Sequence, residues 1–111
     1  MKFKRFEIWT ADLNPGKGTE PGKIRPVVII QTDLLNNVHP STIICPISAN
    51  VFVTATIMRV HLKKQHLKKT SDILVDQIRA IDNRRFLRKV GNLNAFEIET
   101  LKDNLRIILD L

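Results

Sequence analysis

Several polar side chains that could bind or react with a charged group lie directly beside the apolar runs of this sequence. Arg25 precedes the run Pro26–Gln31, and Ser48 follows the run Thr42–Ile47. A guanidinium offers a rigid fork of hydrogen-bond donors, and a hydroxyl can both donate and accept. Functional sites are often built from such residues at the rim of a rigid sheet, although each residue alone is more often an ordinary surface residue. The other polar candidates are Asp76, Gln77 and Arg79 after a third apolar run, and Lys17, Thr19, Glu20 and Lys23 in a loop.

Other kinds of reactive site are not indicated. His39, His61 and His66 are far apart and lack the spacing of zinc ligands, which favours metal-independent chemistry or none. Sequence order does not establish a Ser-His-Asp triad. The loop 14–23 is rich in glycine, but the Gly-Lys-Ser/Thr spacing of a phosphate-binding loop is absent. Cys45 lies in an apolar run, where it is more typical of a buried small hydrophobe than of a nucleophile.

The charge balance suggests a polyanionic partner. The chain of 111 residues carries 18 Lys and Arg against 11 Asp and Glu, a net charge of +7, and its length predicts one domain over residues 1–111. Such a basic domain suits DNA, RNA, an acidic protein or a membrane surface. The basic run Lys63–Lys69 is by default a solvated loop and alternatively a phosphate-facing patch. One Trp, five Phe and no Tyr leave no obvious platform for stacking bases.

Nothing in the sequence indicates export or membrane insertion. The N-terminus has basic residues but no apolar signal core, and no stretch approaches membrane-spanning length. The single cysteine permits no intrachain disulfide. We therefore expect a reduced, cytoplasmic, soluble protein.

The apolar periodicity predicts short strands followed by one helix. Pro26 suits the first residue of a strand, where no ladder N–H is needed. From Asn94 to Leu109 the apolar spacing changes to three and four, which predicts an amphipathic helix with Asn94 as its N-cap and Glu97 completing a capping box. This order predicts a mostly β (α+β) fold, a small curled sheet or barrel of about five to seven strands with a C-terminal α-helix. The predicted strands are Phe6–Leu13, Val27–Gln31, Thr42–Ile47, Ile57–Leu62 and Ile73–Val75.

Six segments, taken in order, make the sequence resemble the MazF/PemK (Kid) family of toxin endoribonucleases. Each segment alone is a weak signal, but the order and spacing agree over nearly the whole chain. The resemblance implies a compact SH3-like β-barrel with a C-terminal helix, working as a homodimer. The segments are Glu7–Trp9, Asp12–Pro15, Gly18–Glu20, Arg25–Ile30, Ile44–Ser48 and Asp76–Asp82.

The resemblance also implies an activity. Members of the family cleave single-stranded RNA, commonly mRNA, at short sequences without a metal or other cofactor, and so inhibit translation and growth. The 2′-hydroxyl of the substrate attacks the phosphate, which leaves a 2′,3′-cyclic phosphate and a free 5′-hydroxyl. This reaction needs a group that accepts the 2′-hydroxyl proton, a group that protonates the leaving oxygen, and donors that hold the charged phosphorane.

The resemblance assigns roles to particular residues. Arg25 matches the catalytic arginine of the family, and Ser48 stands where many members have a catalytic threonine. Asp76 matches a base proposed in one branch, but the arginine that accompanies that base is not matched here, since Leu74 stands near its position. Thr19 resembles the serine or threonine of the other branch, so the sequence is closer to the Arg/Thr type of site. The remaining implied residues are Glu20, which orients Arg25 or belongs to the groove, and the RNA-binding residues Lys17, Thr19, Lys23, Gln77 and Arg79.

The resemblance implies partners and leaves two rival functions open. The implied partners are single-stranded RNA and an antitoxin whose acidic, partly disordered C-terminal tail folds onto the toxin dimer, and the complex with the antitoxin is implied to bind DNA. A CcdB-like toxin that poisons DNA gyrase shares the fold superfamily, but it relies on C-terminal residues that we do not recognise in Leu105–Leu111. The other rival is a non-catalytic nucleic-acid-binding barrel.

Overall fold

Seven strands and one C-terminal helix make up the part of the chain that the structure, a computed structural model, describes: residues 2–15, 18–19, 23–63 and 67–111. The five predicted strands and the predicted helix are confirmed, while β6 and β7 were not predicted. In chain order the elements are β1 Glu7–Asp12, β2 Ile24–Ile29, β3 Ser41–Ser48, β4 Arg59–Leu62, β5 Ser71–Leu74, β6 Arg79–Asp82, β7 Phe86–Asn92 and α1 Ala95–Leu109, with 3-10 helices at Val75–Gln77 and Asn83–Arg85.

The strands pair antiparallel around β3, which has neighbours along both edges. The order across the sheet is β4-β5-β3-β2-β1-β7, and β6 also pairs with β3. β2 lies along one edge of β3, whereas β6 and then β5 lie along the other edge. Among the described residues β4, β6 and β7 each pair with one strand only, so the sheet is not closed into a complete barrel. The mostly β class with a C-terminal helix is confirmed.

Both faces of the central strands are buried. Val28 of β2 belongs to one core cluster and Val27 to another, because successive side chains of a strand point to opposite faces. Leu101 of α1 packs in the first cluster. The second cluster contains the edge-to-face rings of Trp9 and Phe86, whose centroids are 6.0 Å apart. Burial on both faces makes β2 and β3 a rigid support for the groups at their ends.

The helix α1 begins as predicted. The Asn94 side chain accepts a hydrogen bond from the Glu97 N–H (2.8 Å), and the Glu97 carboxylate accepts one from the Asn94 N–H (2.9 Å), which completes the capping box. Leu101 and Leu105 are buried, but Phe96 in the first turn is 80% exposed. The predicted apolar face is therefore wider than the face that packs on the sheet. No helix in the described part of the chain is long and apolar enough to cross a membrane.

Two details of the strands differ from the prediction. β2 begins at Ile24 and not at Pro26, because the residues from Ile24 onward pair with β1. The ladder from β2 to β3 stops at the pair of Val27 with Pro46, so Pro26 lies beyond that ladder, where its missing N–H is tolerated. β7 escaped prediction because its pairing with β1 shifts register twice and its side chains do not alternate in burial.

Candidate active site

Arg25 and Ser48 line the same cleft. Its walls are residues 23–26 at the start of β2 and residues 47–50 at the end of β3, and its volume is about 510 Å³. The antiparallel register brings the two residues together, since two steps beyond the last pair of β2 and β3 Arg25 stands level with Ser48. Because strand pairing stops before that point, the two strand ends leave room between them.

The guanidinium of Arg25 carries a permanent positive charge in this cleft. The residue is half-buried, and burial lowers its pKa because partial removal of water disfavours the charged form. An arginine nevertheless stays protonated at neutral pH, so Arg25 is a poor general base. Its planar fork of donors fits two oxygens of one phosphate group.

Ser48 is held by a local turn at the end of β3. Its Oγ accepts a hydrogen bond from the Asn50 N–H at 3.1 Å. Because that bond uses a lone pair of the oxygen, the hydroxyl hydrogen can still be donated to another group. Ser48 thus presents a hydrogen-bond donor with a fixed oxygen on the wall of the cleft opposite Arg25.

A buried carboxylate lies next to Ser48 in the sheet. Asp72 of β5 pairs with Ser48 and is fully buried. Its Oδ2 accepts hydrogen bonds from the Phe52 N–H (3.0 Å) and from Arg59 Nη1 (3.1 Å), and its Oδ1 lies 2.6 Å from His61 Nδ1. Burial alone raises the pKa of Asp72, but these hydrogen bonds outweigh it, and the net pKa is lowered. Asp72 is therefore a buried anion at neutral pH.

The hydrogen bonds of Asp72 reach the cleft through Arg59. Arg59 Nη1 also donates to the Asn50 carbonyl at 2.6 Å, and Asn50 is the residue that holds Ser48. Sequence reasoning assigned no function to Asp72 or Arg59. The available signal was the charged Asp72 directly before the apolar run Ile73–Val75, since an ionised side chain in a buried strand needs partners.

The loop residues that were predicted to belong to the site are only partly described. Lys23 is exposed and lines the cleft. Thr19 is exposed in a turn. Lys17 and Glu20 lie outside the described residues, as do residues 64–66 of the predicted basic run.

The predicted residues that follow β5 are not gathered in the cleft. Asp76 and Gln77 belong to the 3-10 helix before β6. Arg79 pairs with Ile44 along the edge of β3 that faces away from β2. That pair is about 13 Å from Ser48 along the strand, at roughly 3.3 Å per residue. The structure therefore separates these three residues from Arg25 by the width of β3.

Part of the basic run borders the cleft. Lys68 and Lys69 are exposed and, together with Arg88, line a neighbouring cavity of about 310 Å³. That cavity shares Pro26 and Ile47 with the cleft. The positive surface therefore continues from the cleft into the neighbouring cavity, which favours the phosphate-facing interpretation of these two lysines over a purely solvated loop.

Cys45 is buried, as predicted. Burial raises the pKa of its thiol to about 12, and the negative charge of Asp76 adds to the rise. A buried, protonated thiol is not an accessible nucleophile. Among the described residues, no group of three or more His, Cys, Asp or Glu side chains is placed to hold a metal ion.

Comparisons of the sequence with known proteins agree on one family. A family model described as "PemK-like, MazF-like toxin of type II toxin-antitoxin system" matches residues 4–109. The chain is 34% identical over 113 residues to the endoribonuclease EndoA of Bacillus subtilis (strain 168), a match that covers 100% of this chain and 97% of that relative.

Solved structures of similar proteins share the fold. MazF from Deinococcus radiodurans (Form-I) matches with a TM-score of 0.85 at 20% sequence identity, covering 100% of this chain and 99% of its own. An endoribonuclease in complex with its cognate antitoxin, from a mycobacterial species, matches with a TM-score of 0.79 at 15% identity, covering 96% of this chain and 94% of its own. At such low identities these likenesses show the fold alone.

Proposed function

Because the chain belongs to the PemK-like, MazF-like family of toxins of type II toxin–antitoxin systems, we propose that it cleaves single-stranded mRNA without a metal ion, with Arg25 and Ser48 as its catalytic residues. The observation that carries this proposal is the cleft in which Arg25 and Ser48 stand opposite each other. A phosphate bound there meets the permanent positive charge of Arg25 on one side and the hydroxyl donor of Ser48 on the other. Donors of this kind stabilise the negative charge that develops on a phosphoryl group in the transition state.

In the proposed reaction the 2′-hydroxyl of the RNA attacks the adjacent phosphorus, and the bond to the 5′-oxygen breaks. A base takes the 2′-hydroxyl proton and the departing oxygen takes up a proton, so the products are a 2′,3′-cyclic phosphate and a 5′-hydroxyl. Arg25 and Ser48 donate hydrogen bonds to the phosphoryl oxygens. Glu20 is the carboxylate proposed to orient Arg25 or to belong to the RNA groove. Asp76 lies across β3 from Arg25 and is not proposed to transfer a proton in this cleft.

Positive side chains are proposed to guide the RNA into the cleft. Lys23 lies on its wall, and Lys68 and Lys69 line the neighbouring cavity. The net charge of +7 attracts a polyanion, and contacts to phosphates add salt-dependent affinity. The other residues proposed to bind RNA are Lys17, Thr19, Gln77 and Arg79, of which Gln77 and Arg79 lie outside the cleft.

The proposal is tested by incubating the pure protein with a long single-stranded RNA in EDTA. The wild type is expected to make discrete cuts, and Arg25→Ala is expected to abolish them in a folded protein. Arg25→Lys is also expected to be severely impaired, because one ammonium does not reproduce the fork of the guanidinium. Arg84→Ala is the matched control, since it removes the same charge from a side chain that is 91% exposed and paired with Asp82.

Two outcomes of this assay would contradict the proposal. Near-normal cleavage by a folded Arg25→Ala protein would remove Arg25 from the mechanism. Intact RNA after incubation with the folded wild type would favour one of the rival functions, a gyrase poison or a non-catalytic nucleic-acid-binding protein.

Ser48 is tested by removing its hydroxyl and by replacing it with another. Ser48→Ala is expected to lower the cleavage rate by about 100-fold or more, the typical cost of one preorganised donor. Ser48→Thr is expected to retain or raise the rate, because the hydroxyl stays and the added methyl restricts its rotamer. Equal rates for serine, alanine and threonine would make Ser48 a structural residue.

The assembly and partner are proposed from the same family membership. We propose a cytoplasmic homodimer, with residues 1–111 as one domain, that is inhibited by an antitoxin with an acidic C-terminal tail and binds DNA in complex with it. The net charge of +7 favours a disordered acidic segment that orders on binding and covers the RNA groove.

Competition between RNA and the antitoxin tests this partner. Non-cleavable RNA and the acidic tail are expected to exclude each other from the toxin, and association with the tail is expected to slow as salt is added. A ternary complex with undiminished affinity for both ligands would show that the antitoxin does not cover the RNA groove.

A further inference from the structure

Phe52 is an aromatic ring exposed beside the candidate active site. The residue is 53% exposed. It lies two positions after Asn50, which lines the cleft. The rings of Phe3, Trp9 and Phe86, by contrast, pack against one another in the core. Core packing therefore does not explain the position of Phe52.

Two neighbours hold the ring and the backbone of Phe52 in place. Arg59 Cζ lies 4.3 Å from the ring centroid, and Arg59 Nη1 donates to the Asn50 carbonyl at 2.6 Å. The Phe52 N–H donates to Asp72 Oδ2 at 3.0 Å, and the same oxygen accepts from Arg59 at 3.1 Å. Asp72 is fully buried and the Arg59 side chain is 16% exposed, so both neighbours are themselves fixed by packing. The ring is preorganised beside the cleft, which lowers the entropic cost of using it to bind a ligand.

A ring held in this way suits a nucleobase. Arg59 covers one face of the ring, so the exposed surface of Phe52 is its other face and its edge. Every base has a π-face that can stack on an aromatic ring, and an arginine adds a cation–π contribution. Asn50 donates its N–H to Ser48 Oγ and accepts a hydrogen bond from Arg59, so the arginine that covers the ring is linked to Ser48 through one residue.

We propose that Phe52 stacks on a base of the RNA next to the cleaved phosphate, and that Asp72 and Arg59 position the ring for this contact. The inference rests on the proposed endoribonuclease function and adds a base-binding contact to the same site. Stacking tolerates any base, so Phe52 contributes to the affinity for RNA and to its placement more than to the choice of base.

The cleaved nucleotide is first mapped by sequencing the ends of wild-type products. The experiment then measures the binding of a short single-stranded RNA that carries 2′-deoxyribose at that nucleotide and is therefore not cleaved. A set of copies each lacks one base near that nucleotide. With the wild type, one abasic copy is expected to bind about 5- to 150-fold more weakly, the range for one base–aromatic stack. With Phe52→Leu, the intact RNA is expected to bind as weakly as that abasic copy, so that removal of the base no longer matters.

A tryptophan at the same position gives a direct second readout. Phe52→Trp is expected to retain affinity, and its fluorescence is expected to be quenched when the RNA binds, because the indole stacks on a base. Phe96→Trp is the matched control, since Phe96 is 80% exposed on α1 and its fluorescence is expected to stay unchanged. Trp9 is buried and adds a constant background.

Three outcomes would overturn the proposal. The first is an equal abasic penalty in the wild type and in Phe52→Leu, and the second is a Phe52→Trp fluorescence that RNA does not change. The third is loss of binding to an acidic peptide in Phe52→Leu while RNA binding is unchanged, which would make the ring a peptide contact. If the proposed function is wrong, the wild type leaves unmodified RNA intact, and this result is distinct from the three above. The same unmodified RNA then serves for the binding measurements.

Discussion

Glu7 and Asp72 are two buried carboxylates that are built alike and lie in different parts of the molecule. Glu7 Oε1 accepts hydrogen bonds from the Lys4 N–H (2.9 Å) and from Trp9 Nε1 (3.0 Å), and its Oε2 lies 3.0 Å from Lys89 Nζ. Asp72 has the same kinds of partner: a backbone N–H, a cationic side chain and a ring nitrogen. In both cases burial alone raises the pKa, the hydrogen bonds outweigh it, and the net pKa is lowered.

The difference between the two carboxylates is where their donors lead. Trp9 packs in the aromatic part of the core. Lys4 and Lys89 connect Glu7 of β1 to the N-terminal segment and to β7. The partners of Asp72 include Arg59, which leads to the turn that holds Ser48. A buried ionised carboxylate does not by itself mark a functional site. The position of its donors decides whether it serves the fold alone or also the cleft.

The largest expected effect that separates the two is on stability. Asp72→Ala leaves Arg59, whose side chain is 16% exposed, without its carboxylate, and breaking a buried ion pair in this way typically costs about 3–5 kcal/mol. Glu7→Ala leaves Lys89, whose side chain is 43% exposed and can turn to water, so we expect a loss of roughly 1–3 kcal/mol, mainly from unsatisfied neutral donors. Urea unfolding followed by circular dichroism measures both free energies. A loss for Glu7→Ala that equals or exceeds the loss for Asp72→Ala would contradict this ranking.

The second expected effect is on RNA cleavage. Asp72→Asn retains the shape of the side chain but weakens its hold on Phe52 and Arg59, so we expect kcat/KM to fall on the order of 10-fold, less than the roughly 100-fold cost of a 1 Å misplacement of reacting groups. Glu7→Gln is the matched control, and its kcat/KM is expected to stay unchanged at a temperature where both variants are folded.

A positioning role for Asp72 also predicts which kinetic constant changes. The loss in Asp72→Asn is expected mainly in KM, and it is expected to shrink when the RNA lacks the base that stacks on Phe52. A merely destabilised protein would lose the same fraction of activity on both RNAs. Equal activity of Asp72→Asn and Glu7→Gln would show that Asp72 serves only the fold.

The sequence predicted those parts of the fold whose pattern is local. The buried runs Val27–Gln31 and Thr42–Ile47 correspond to β2 and β3, and the capping box placed the start of α1 correctly. β7 was missed because its two register shifts against β1 break the two-residue period that identifies a strand. The open sheet was not predictable either, because closure depends on pairing between strands far apart in the chain.

The candidate site divides in the same way. Arg25 and Ser48 were found because each adjoins an apolar run in the sequence and matches a family motif. Asp72 and Phe52 were missed because their partners are distant in sequence: Asp72 contacts Arg59 across 13 residues and Phe52 across 20. Because aromatic residues are scarce, the sequence predicted no stacking platform. Composition alone does not show that the single ring of Phe52 lies beside the cleft.

The smallest expected effect is a change in unfolding by acid. The folded pKa values of Glu7 and Asp72 lie below their ordinary values of about 4. A carboxylate with a lowered folded pKa stabilises the fold fully above its unfolded pKa, and this contribution is lost as the pH falls through the folded pKa. We therefore expect these two groups to leave the free energy of unfolding constant near neutral pH and to lower it below about pH 4. Glu7→Gln and Asp72→Asn should each flatten that fall, because an amide does not titrate. Acid unfolding curves of the same shape for the wild type and both buried-site variants would show that neither carboxylate is linked to folding in this way.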